Sequence, residues 1–537
     1  MDPQPWVVRR GAVACGHGPR SARHEALAPS GVRRWRGRRR RRTTTTTTTT
    51  QGTSSSSVLG EASVASTSSA SDGGGDKAFS NALVVGGGPA GLAAAIMLAQ
   101  QGWSGVKVVD RLPPPPVASH PIYSNAPERS YNLGVSGRGQ KFLDSIGALG
   151  DVKRFSAENF GRMTWDEQGN STVTLRPEIA EEIYQAICIQ RDRLTAVLLE
   201  YCERYEEIEV SHGVAVDSVT WPSGSPEVTL QGGEVVRPSL LVGADGFNSV
   251  VARALDESKL SEFKIQSWAD KNTRVYKTVP LDYDICGNPG EWKRDLNFSA
   301  NSQGGADVTL EVLPTMEGKG VGVTLYKPDN EAIKGADTAE KAKELFKTNF
   351  PQFYDVVPER SFTDFASQRD QKLPLFQYAK NALHGPKTVC VGDSIHTVKP
   401  YFGLGVNSAF EDVGVLKACL EAHHVDNPGD DGLDKALAAF TEGHKRNVET
   451  LVKMSRTFDG GFLFFVLPII LDSIFHKLLP QVFSTNCIRM LQKHNMSFAE
   501  AGQIKRRDRA LQVSIIAMVF LPCFALLLRV LRWLVTP

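Results

Sequence analysis

The chain has 537 residues, of which 41% are hydrophobic, and this length exceeds what one hydrophobic core usually serves. Its net charge of +2 conceals an asymmetry, because residues 1–42 contain twelve arginines and two acidic residues (+10), which leaves about −8 for the rest. We expect no nucleic-acid partner, since the positive charge lies in one tail. The eight cysteines form no CxxC pair, and this spacing fits neither a zinc site nor the disulfide framework of a small secreted domain. We therefore predict several domains and no metal site.

Residues 1–80 have a biased composition that predicts disorder. They contain an arginine run, eight consecutive threonines (Thr43–Thr50) and a serine-rich stretch, and such a segment cannot bury a core. An arginine-rich, serine- and threonine-rich, acid-poor N-terminus is also typical of a transit peptide to a mitochondrion or chloroplast. The alternative is a low-complexity extension without a targeting role. We expect an organellar protein.

A glycine-rich turn follows the first apolar run, Ala82–Val85. Its glycines are spaced as Gly86-x-Gly88-x-x-Gly91 and lead into small helix-forming residues. Such a turn lets the backbone approach a pyrophosphate, which the free N–H groups of the helix N-terminus then face. A second strand ends at Asp110, about 20 residues after the glycines, where a ribose-binding carboxylate is expected. The pattern predicts a dinucleotide site.

Two further apolar strands end in turns of the same character. Leu240–Gly243 runs into Ala244, Asp245 and Gly246, and Thr388–Val391 runs into Gly392 and Asp393. A carboxylate at the end of a strand near a nucleotide can accept a hydrogen bond from a hydroxyl group. The stretch Gly403-x-Gly405-x-Asn407 then begins a helix, and its N–H groups form a second place that could face a ligand.

The intervening segments alternate apolar and polar residues, which is typical of half-buried strands. Residues 162–175 contain a Gly169-Asn170 turn signal, and the runs 308–313 and 321–326 flank a glycine-containing turn, which predicts an antiparallel hairpin. No glycine fingerprint lies between residues 266 and 384. We expect these segments to form a sheet that covers a substrate pocket.

The C-terminal region is strongly apolar. Residues 462–471 are too short to cross a bilayer, whereas residues 510–528 are nearly uncharged and fit the roughly 20 residues that a spanning helix needs. Basic residues flank this stretch on both sides. We predict one membrane-spanning helix over 510–532, which would attach the protein to a membrane, after a helical region over 441–509. The alternative is a buried or in-plane helix, because Gln512 and Pro522 interrupt the stretch.

Taken together, the three glycine and aspartate motifs resemble the three fingerprints of the class A flavoprotein monooxygenases. The resemblance implies an α/β fold, namely a three-layer, Rossmann-like FAD-binding fold of the p-hydroxybenzoate hydroxylase type. It also implies bound FAD, NADPH or NADH as reductant, O2 as oxidant and a small aromatic substrate. Within the family, residues 129–139 and 400–412 are most similar to the members that hydroxylate kynurenine.

The resemblance also implies a division of the chain into domains. The FAD-binding domain would be discontinuous and built from residues 81–160, 188–265 and 385–440. The substrate-binding sheet would comprise residues 161–187 and 266–384. The helical and membrane-spanning C-terminal extension would follow these two domains. The oligomeric state is not predicted.

The family's functional positions are carried over residue by residue. The residues implied in cofactor binding are Gly86, Gly88, Gly91, Asp110, Arg138, Arg191, Asp245, Asp393, Gly403, Gly405 and Asn407. Arg162 is implied as the partner of a substrate carboxylate, and Asn407 as a second substrate contact. No catalytic residue is assigned, because the flavin performs most of the chemistry and His396 is interpreted as a structural residue.

The chain departs from the family's pattern at several points. Arg253 lies one position later than usual, the usual GDAAH reads GDSIH, and two tyrosines that help to seat kynurenine have no recognisable counterpart. Two alternatives to an aromatic hydroxylase therefore stay open. One is a flavin-dependent reductase or epoxidase that acts on a membrane lipid or isoprenoid, and the other is a non-catalytic FAD-binding protein.

Overall fold

The computed structural model describes residues 81–125, 130–175, 184–270, 272–400, 403–423 and 432–535, without the side chains of residues 289 and 520–535. The predictions of disorder and of a transit peptide concern residues 1–80 and lie outside this part of the chain. All described residues belong to one compact unit.

The described strands fall into five sheets, and their bounds follow in chain order: β1 Asn81–Val85, β2 Gly105–Asp110, β3 Asn132–Val135, β4 Ala157–Glu158, β5 Gly161–Trp165, β6 Ser171–Leu175, β7 Ile187–Gln190, β8 Ile208–His212, β9 Val216–Thr220, β10 Glu227–Leu230, β11 Val235–Val236, β12 Leu240–Gly243, β13 Lys264–Ser267, β14 Val275–Leu281, β15 Leu296–Asn301, β16 Thr309–Pro314, β17 Gly320–Tyr326, β18 Gln371–Lys372, β19 Gln377–Lys380, β20 His384–Gly385, β21 Thr388–Cys390 and β22 His396–Thr397.

The α-helices have the following bounds, again in chain order: α1 Pro89–Gln100, α2 Ile122–Asn125, α3 Gly137–Ser145, α4 Leu149–Arg154, α5 Arg191–Cys202, α6 Val250–Ser258, α7 Glu331–Gly335, α8 Ala339–Asn349, α9 Pro351–Tyr354, α10 Glu359–Ser367, α11 Leu404–Ala422, α12 Gly432–Thr457, α13 Leu467–Leu478, α14 Cys487–Gln492 and α15 Phe498–Val535.

A six-stranded sheet with the order β20-β21-β12-β1-β2-β8 forms the centre of the molecule. The strands from β21 to β8 pair in parallel, and only the short β20 runs antiparallel. The central strands are nearly continuous apolar runs because helices cover the sheet, and α1 is buried along Gly91–Leu98. This sheet brings the carboxyl ends of β1, β2, β12 and β21 to one edge, as the mixed α/β prediction requires.

The second large sheet has seven strands in the order β18-β14-β17-β16-β15-β5-β6. Its strands alternate between two faces, since successive side chains of a strand point to opposite sides. One face carries Trp165, Phe298 and Val312 and forms a second core with helices α8–α10. The other face carries polar residues, among them Arg162 and Glu311.

The polar face of the seven-stranded sheet lies towards the edge of the six-stranded sheet at which β1, β2, β12 and β21 end. We call this edge the cofactor edge, because the predicted dinucleotide turns lie there. The side chain of Asn132 on β3 donates to the carbonyl oxygens of Leu313 (3.2 Å) and Pro314 (2.9 Å) at the end of β16. Asn159 donates to Asn297 on β15 at 2.7 Å. These contacts join the seven-stranded sheet to the small sheet β3-β7-β4 and to the residue that follows β4.

The predicted membrane-spanning helix is wrong. Among the helices described, none is long and apolar enough to cross a membrane. Helix α15 does cover the predicted segment, but its first part carries the charged run Lys505–Arg509. There Asp508 and Gln512 are fully buried, and Gln512 donates to the buried Asp472 of α13 at 3.1 Å. The start of the segment therefore continues a helix whose polar residues Lys505 and Gln512 contact the buried Asp472 of α13.

Candidate functional site

The first glycine turn is closed by backbone contacts that exclude side chains. Gly86 has φ +109°, and a Cβ atom there would lie 2.3 Å from the carbonyl oxygen of Ala244. A Cβ atom on Gly91 would lie 1.8 Å from the carbonyl oxygen of Gly86. At Gly88, which caps α1, no atom lies within 4 Å of such a Cβ. Two glycines thus hold the turn together, and the third leaves backbone accessible to a ligand.

Asp110 ends β2 and braces the same turn. Its carboxylate accepts hydrogen bonds from the N–H groups of Gly87 at 2.6 Å and Leu112 at 2.7 Å. Each oxygen has a second lone pair, so these bonds leave capacity for a hydroxyl group. The ribose contact of Asp110 stays a prediction.

Asp245 lies where β12 leads into α6. Its Oδ2 accepts from the N–H group of Val250 at 2.6 Å, whereas its Oδ1 is buried without a partner among the described residues. Burial is the main cause that raises the pKa of Asp245 above its ordinary value. A buried carboxyl oxygen without a donor is costly in the protein alone, and a ligand hydroxyl would satisfy it.

Asp393 lies beside the N-terminus of α11. Its side chain is exposed, yet the surrounding protein raises its pKa by desolvation, and the charges of His396 and Arg191 oppose this rise. Gly403 has φ +64° at the helix cap, and a Cβ atom on Gly405 would lie 4.0 Å from Asp393 Oδ1. The structure therefore brings Asp393, Gly403 and Gly405 together.

Arg191 begins α5 and shares this region with two tyrosines that the sequence analysis missed. Burial raises the pKa of Tyr131 and of Tyr276, and the positive charge of Arg191 lowers both. The charge of Asp393 also acts on Tyr131. The backbone N–H group of Arg191 donates to Tyr131 O at 3.1 Å, and Tyr276 of the seven-stranded sheet lies near enough to feel the charge of Arg191, so the two tyrosines and Arg191 are neighbours. Tyr131 lies within a stretch that the resemblance used, but Tyr276 follows no sequence signal.

Arg138 is held by the C-terminal region. Its side chain is 4% exposed and pairs with Glu411, and it donates at 2.6 Å to the carbonyl oxygens of both Lys493 and Met496. The ring of Phe498 lies 4.1 Å from the guanidinium carbon. These contacts leave only its buried Nε without a partner among the described atoms, so direct cofactor binding by Arg138 stays a prediction.

Asn407 joins the start of α11 to the turn that precedes α3. Its Oδ1 accepts from the N–H group of Ser136 at 2.9 Å, and its Nδ2 donates to Gly134 O at 2.8 Å and to Gly403 O at 2.5 Å. Both hydrogens of the amide are therefore used within the protein. The structure assigns Asn407 a positioning role, and its predicted contacts with substrate and cofactor stay predictions.

A buried group that the sequence analysis did not identify lies beneath the Gly392-Asp393 turn. Asp412 accepts hydrogen bonds from Gly392 N at 2.7 Å, from His396 Nε2 at 2.7 Å and from His444 Nε2 at 2.6 Å. All three side chains are at most 2% exposed. This cluster, His396–Asp412–His444, joins the cofactor turn to α11 and α12. Asp412 closes the stretch 400–412 that carried the resemblance, but nothing in the sequence indicated His444.

The cluster predicts a pH dependence of stability. Burial lowers the pKa of His396, but the charge and hydrogen bond of Asp412 outweigh it and raise that pKa above 6.5. Burial raises the pKa of Asp412, but His396 and His444 outweigh it and lower that pKa from 3.8 to about 2. The contribution of His396 to the free energy of unfolding is therefore fully present below pH 6.5, and it is lost as the pH rises through the pKa of His396 in the folded protein. The Asp412 contribution is present above pH 3.8 and lost as pH falls towards 2.

Urea unfolding from pH 3 to pH 9 checks this prediction. The difference in the free energy of unfolding between the wild type and His396→Gln should be largest near pH 5 and should shrink as pH rises. A difference that is constant from pH 5 to pH 9 would contradict it.

Lys399 fixes the loop that precedes α11. Its fully buried ammonium group binds Asp270 at 2.9 Å and Asp459 at 2.7 Å, and it also donates to Asn272 O at 2.9 Å. These partners come from the link between the sheets and from the end of α12. A buried ion pair of this kind requires all its partners, and it ties the loop before α11 to the link between β13 and β14 and to the end of α12.

Arg162 lies on the polar face of the seven-stranded sheet, opposite Asn297 of β15. Its side chain is 43% exposed and its Nη2 lies 3.1 Å from Glu311 Oε2. Glu311 also accepts from Ser299 Oγ at 2.6 Å. Arg162, the predicted partner of a substrate carboxylate, is thus accessible from solvent, but it already forms an ion pair with the carboxylate of Glu311.

The residues at the cofactor edge fit a flavin dinucleotide. The turn at Gly88 is open where a pyrophosphate would approach, Asp245 has an oxygen free for a hydroxyl group, and Asp393 lies beside a second helix N-terminus. A family model described as an FAD binding domain matches residues 80–449, which is well over half of the chain.

The chain belongs to the FAD-dependent class A monooxygenase family. It is an oxidoreductase of this family. The kynurenine 3-monooxygenase of Salinispora tropica is 27% identical over 442 residues, which cover 79% of this chain and 90% of that protein.

Solved structures share the fold. Pseudomonas aeruginosa PqsL in complex with 2-aminobenzoylacetate has a TM-score of 0.53 and 19% identity, over 70% of this chain and 95% of that one. Klebsiella pneumoniae HpxO, complexed with FAD and uric acid, has a TM-score of 0.52 and 17% identity, over 71% and 88%. The predicted α/β FAD-binding fold is confirmed.

Proposed function

We propose that this monooxygenase hydroxylates a small aromatic, kynurenine-like substrate. In the overall reaction the substrate ring gains one oxygen atom of O2 and the other oxygen atom leaves as water. NADPH or NADH supplies a hydride, that is, two electrons and one proton, and the solvent supplies the second proton. The observation that carries the proposal is the polar sheet face with Arg162, which lies towards the edge of the glycine turns. The name of the Salinispora tropica relative supports the substrate class.

FAD, when bound, would accept electrons from the nicotinamide and activate O2. The backbone at Gly88 and the carboxylates of Asp110, Asp245 and Asp393 would hold its diphosphate and hydroxyl groups. Arg191 and the α11 N-terminus would lie along its flavin part. The task of the protein is then to orient the substrate and to exclude water from the reacting ring.

The substrate would lie between the seven-stranded sheet and the cofactor edge. Tyr131 and Tyr276 would supply aromatic walls near Arg191 and Asp393, and Arg162 would contact the polar end of the substrate. The alternative of an enzyme for a membrane lipid depended on the predicted spanning helix, which the described helices do not provide.

The test uses the full chain purified with its flavin. NADPH and NADH oxidation, O2 uptake and product are measured with kynurenine and other aromatic acids and amines. The proposal predicts substrate-stimulated oxidation with one hydroxylated product for each O2 consumed. Rapid oxidation that yields only hydrogen peroxide with every aromatic compound would overturn it.

Replacement of Arg162 tests the substrate end of the pocket. Because a guanidinium group forms charge-assisted, paired hydrogen bonds worth about 1.5–3 kcal/mol, Arg162→Ala should raise the KM for the substrate roughly tenfold or more. The kcat should change less. Arg154→Ala, at an exposed ion pair of α4, is the matched control. An unchanged KM in Arg162→Ala would remove this residue from the site.

A further inference from the structure

The polar face of the seven-stranded sheet carries a carboxylate beside the proposed substrate arginine. Glu311 Oε2 lies 3.1 Å from Arg162 Nη2, and Glu311 Oε1 accepts from Ser299 Oγ at 2.6 Å. Ser299 is directly opposite Glu311 in the register of β15 and β16, so its hydroxyl group fixes the carboxylate above the middle of the sheet. The carboxylate is thus a built part of this face.

The same face is open to a ligand. Arg162 is 43% exposed and Glu311 is 30% exposed. Asn297, the register partner of Arg162, is bound by Asn159 at 2.7 Å beside β7, and the end of β16 is bound by Asn132 of β3. The pair therefore lies on the wall that faces the cofactor edge.

The pair has an electrostatic consequence for the substrate. A lone carboxylate bound to Arg162 would share the guanidinium with Glu311, and the two negative charges would repel each other at short range. Ser299 restrains Glu311 from turning away. A neutral polar group, or a zwitterion whose ammonium group balances its carboxylate, meets no such repulsion.

We infer that Glu311 is a specificity-determining residue that directs this pocket towards aromatic substrates whose polar end carries no net negative charge. Aromatic monocarboxylates are disfavoured by the same residue. The inference rests on the proposed function only in the location of the substrate, because it concerns binding and not oxygen transfer.

The test compares two ligands with the same ring, 2-aminobenzamide and 2-aminobenzoate. Their dissociation constants for the full chain with bound FAD are measured by titration calorimetry and by the change in flavin absorbance. The wild type should bind the amide at least about tenfold more tightly than the carboxylate. Glu311→Gln should shift this ratio at least about tenfold towards the carboxylate.

Asp307→Asn is the matched control, because it removes one charge of the same sign from an exposed position between β15 and β16. It should leave the ratio unchanged. Ser299→Ala, which frees Glu311 to move, should shift the ratio in the direction of Glu311→Gln by a smaller factor, and it provides a second variant if Glu311→Gln does not fold.

Two results would overturn the inference. One is a wild type that binds the carboxylate as tightly as the amide, and the other is a ratio that does not respond to either variant. The absence of binding of both ligands to all the proteins would also count against this face as the substrate wall. A shift of the ratio without any hydroxylated product would contradict the proposed function and leave the inference intact.

Discussion

Gly91→Ala should destabilise the chain by about 3 kcal/mol and should abolish FAD retention, because overpacking typically costs about 1–3 kcal/mol and this contact is too close to be relieved by a side-chain movement. A Cβ atom at this position would lie 1.8 Å from the carbonyl oxygen of Gly86. That oxygen belongs to backbone at the end of β1 and cannot move without opening the turn. Urea unfolding and the flavin content of the purified protein measure the two effects.

Gly88→Ala separates the cofactor contact from the stability of the fold. No atom of the protein lies within 4 Å of the added methyl group, so the free energy of unfolding without flavin should change little. The methyl group would occupy the space in which the pyrophosphate approaches, and FAD affinity should fall at least about tenfold. Gly150→Ala is the control, since it also adds a methyl group in open space. Equal FAD affinity in the two variants would contradict this description of the site.

Asp412→Ala should cost about 3–5 kcal/mol of stability, the range for breaking a buried charged group from its partners. The substitution removes the acceptor of two imidazoles and of the Gly392 N–H group at once. Loss of the last bond frees the turn that holds Asp393, so FAD should also dissociate more readily. Thermal unfolding and FAD titration check both results.

Asp337→Ala supplies the comparison for Asp412→Ala. Asp337 pairs with Lys341 on the surface of α8, and both side chains are well exposed, where such pairs contribute about 1 kcal/mol or less. If the two variants were equally stable, the cluster would have no structural role. Asp412→Asn, which keeps one acceptor oxygen, should lie between the wild type and Asp412→Ala.

Several strands of the two large sheets follow closely from local patterns in the sequence. The predicted strand 82–85 is β1, the predicted strand that ends at Asp110 is β2, and the predicted hairpin 308–313 and 321–326 corresponds to β16 and β17. These elements could be predicted because each has a strong periodicity or an apolar run that ends in glycine. Pairing between distant strands, such as β1 with β12, does not follow from those patterns.

The membrane prediction failed for a physical reason. Hydropathy measures a stretch of chain in isolation, but α15 begins upstream in charged sequence, and its buried Asp508 and Gln512 pack against the C-terminal helices. A polar residue that interrupts an apolar run can thus indicate tertiary packing. Gln512 is such a residue, because it donates to the buried Asp472 of α13.

Some parts of the candidate site could be predicted from the sequence, and others could not. Gly86 and Gly91 could be recognised because backbone geometry restricts these positions to glycine, and Gly88 because a side chain there would block an approaching pyrophosphate. The pairing of Arg162 with Glu311, the burial of Arg138 under the C-terminal region and the cluster around Asp412 join residues far apart in the chain. Such contacts depend on strand register and helix packing.

The sequence by itself predicted a dinucleotide site at a glycine turn, and the resemblance of its three motifs to a known family implied FAD and a monooxygenase fold. The glycine pattern is visible in the sequence because it depends on short-range backbone sterics, which neighbouring residues encode. Only the tertiary structure decided which charges meet: Glu311 on Arg162, Asp412 beneath the Asp393 turn, and Asp472 beside Gln512. Electrostatic and packing interactions act through space, so the folded chain alone defines them.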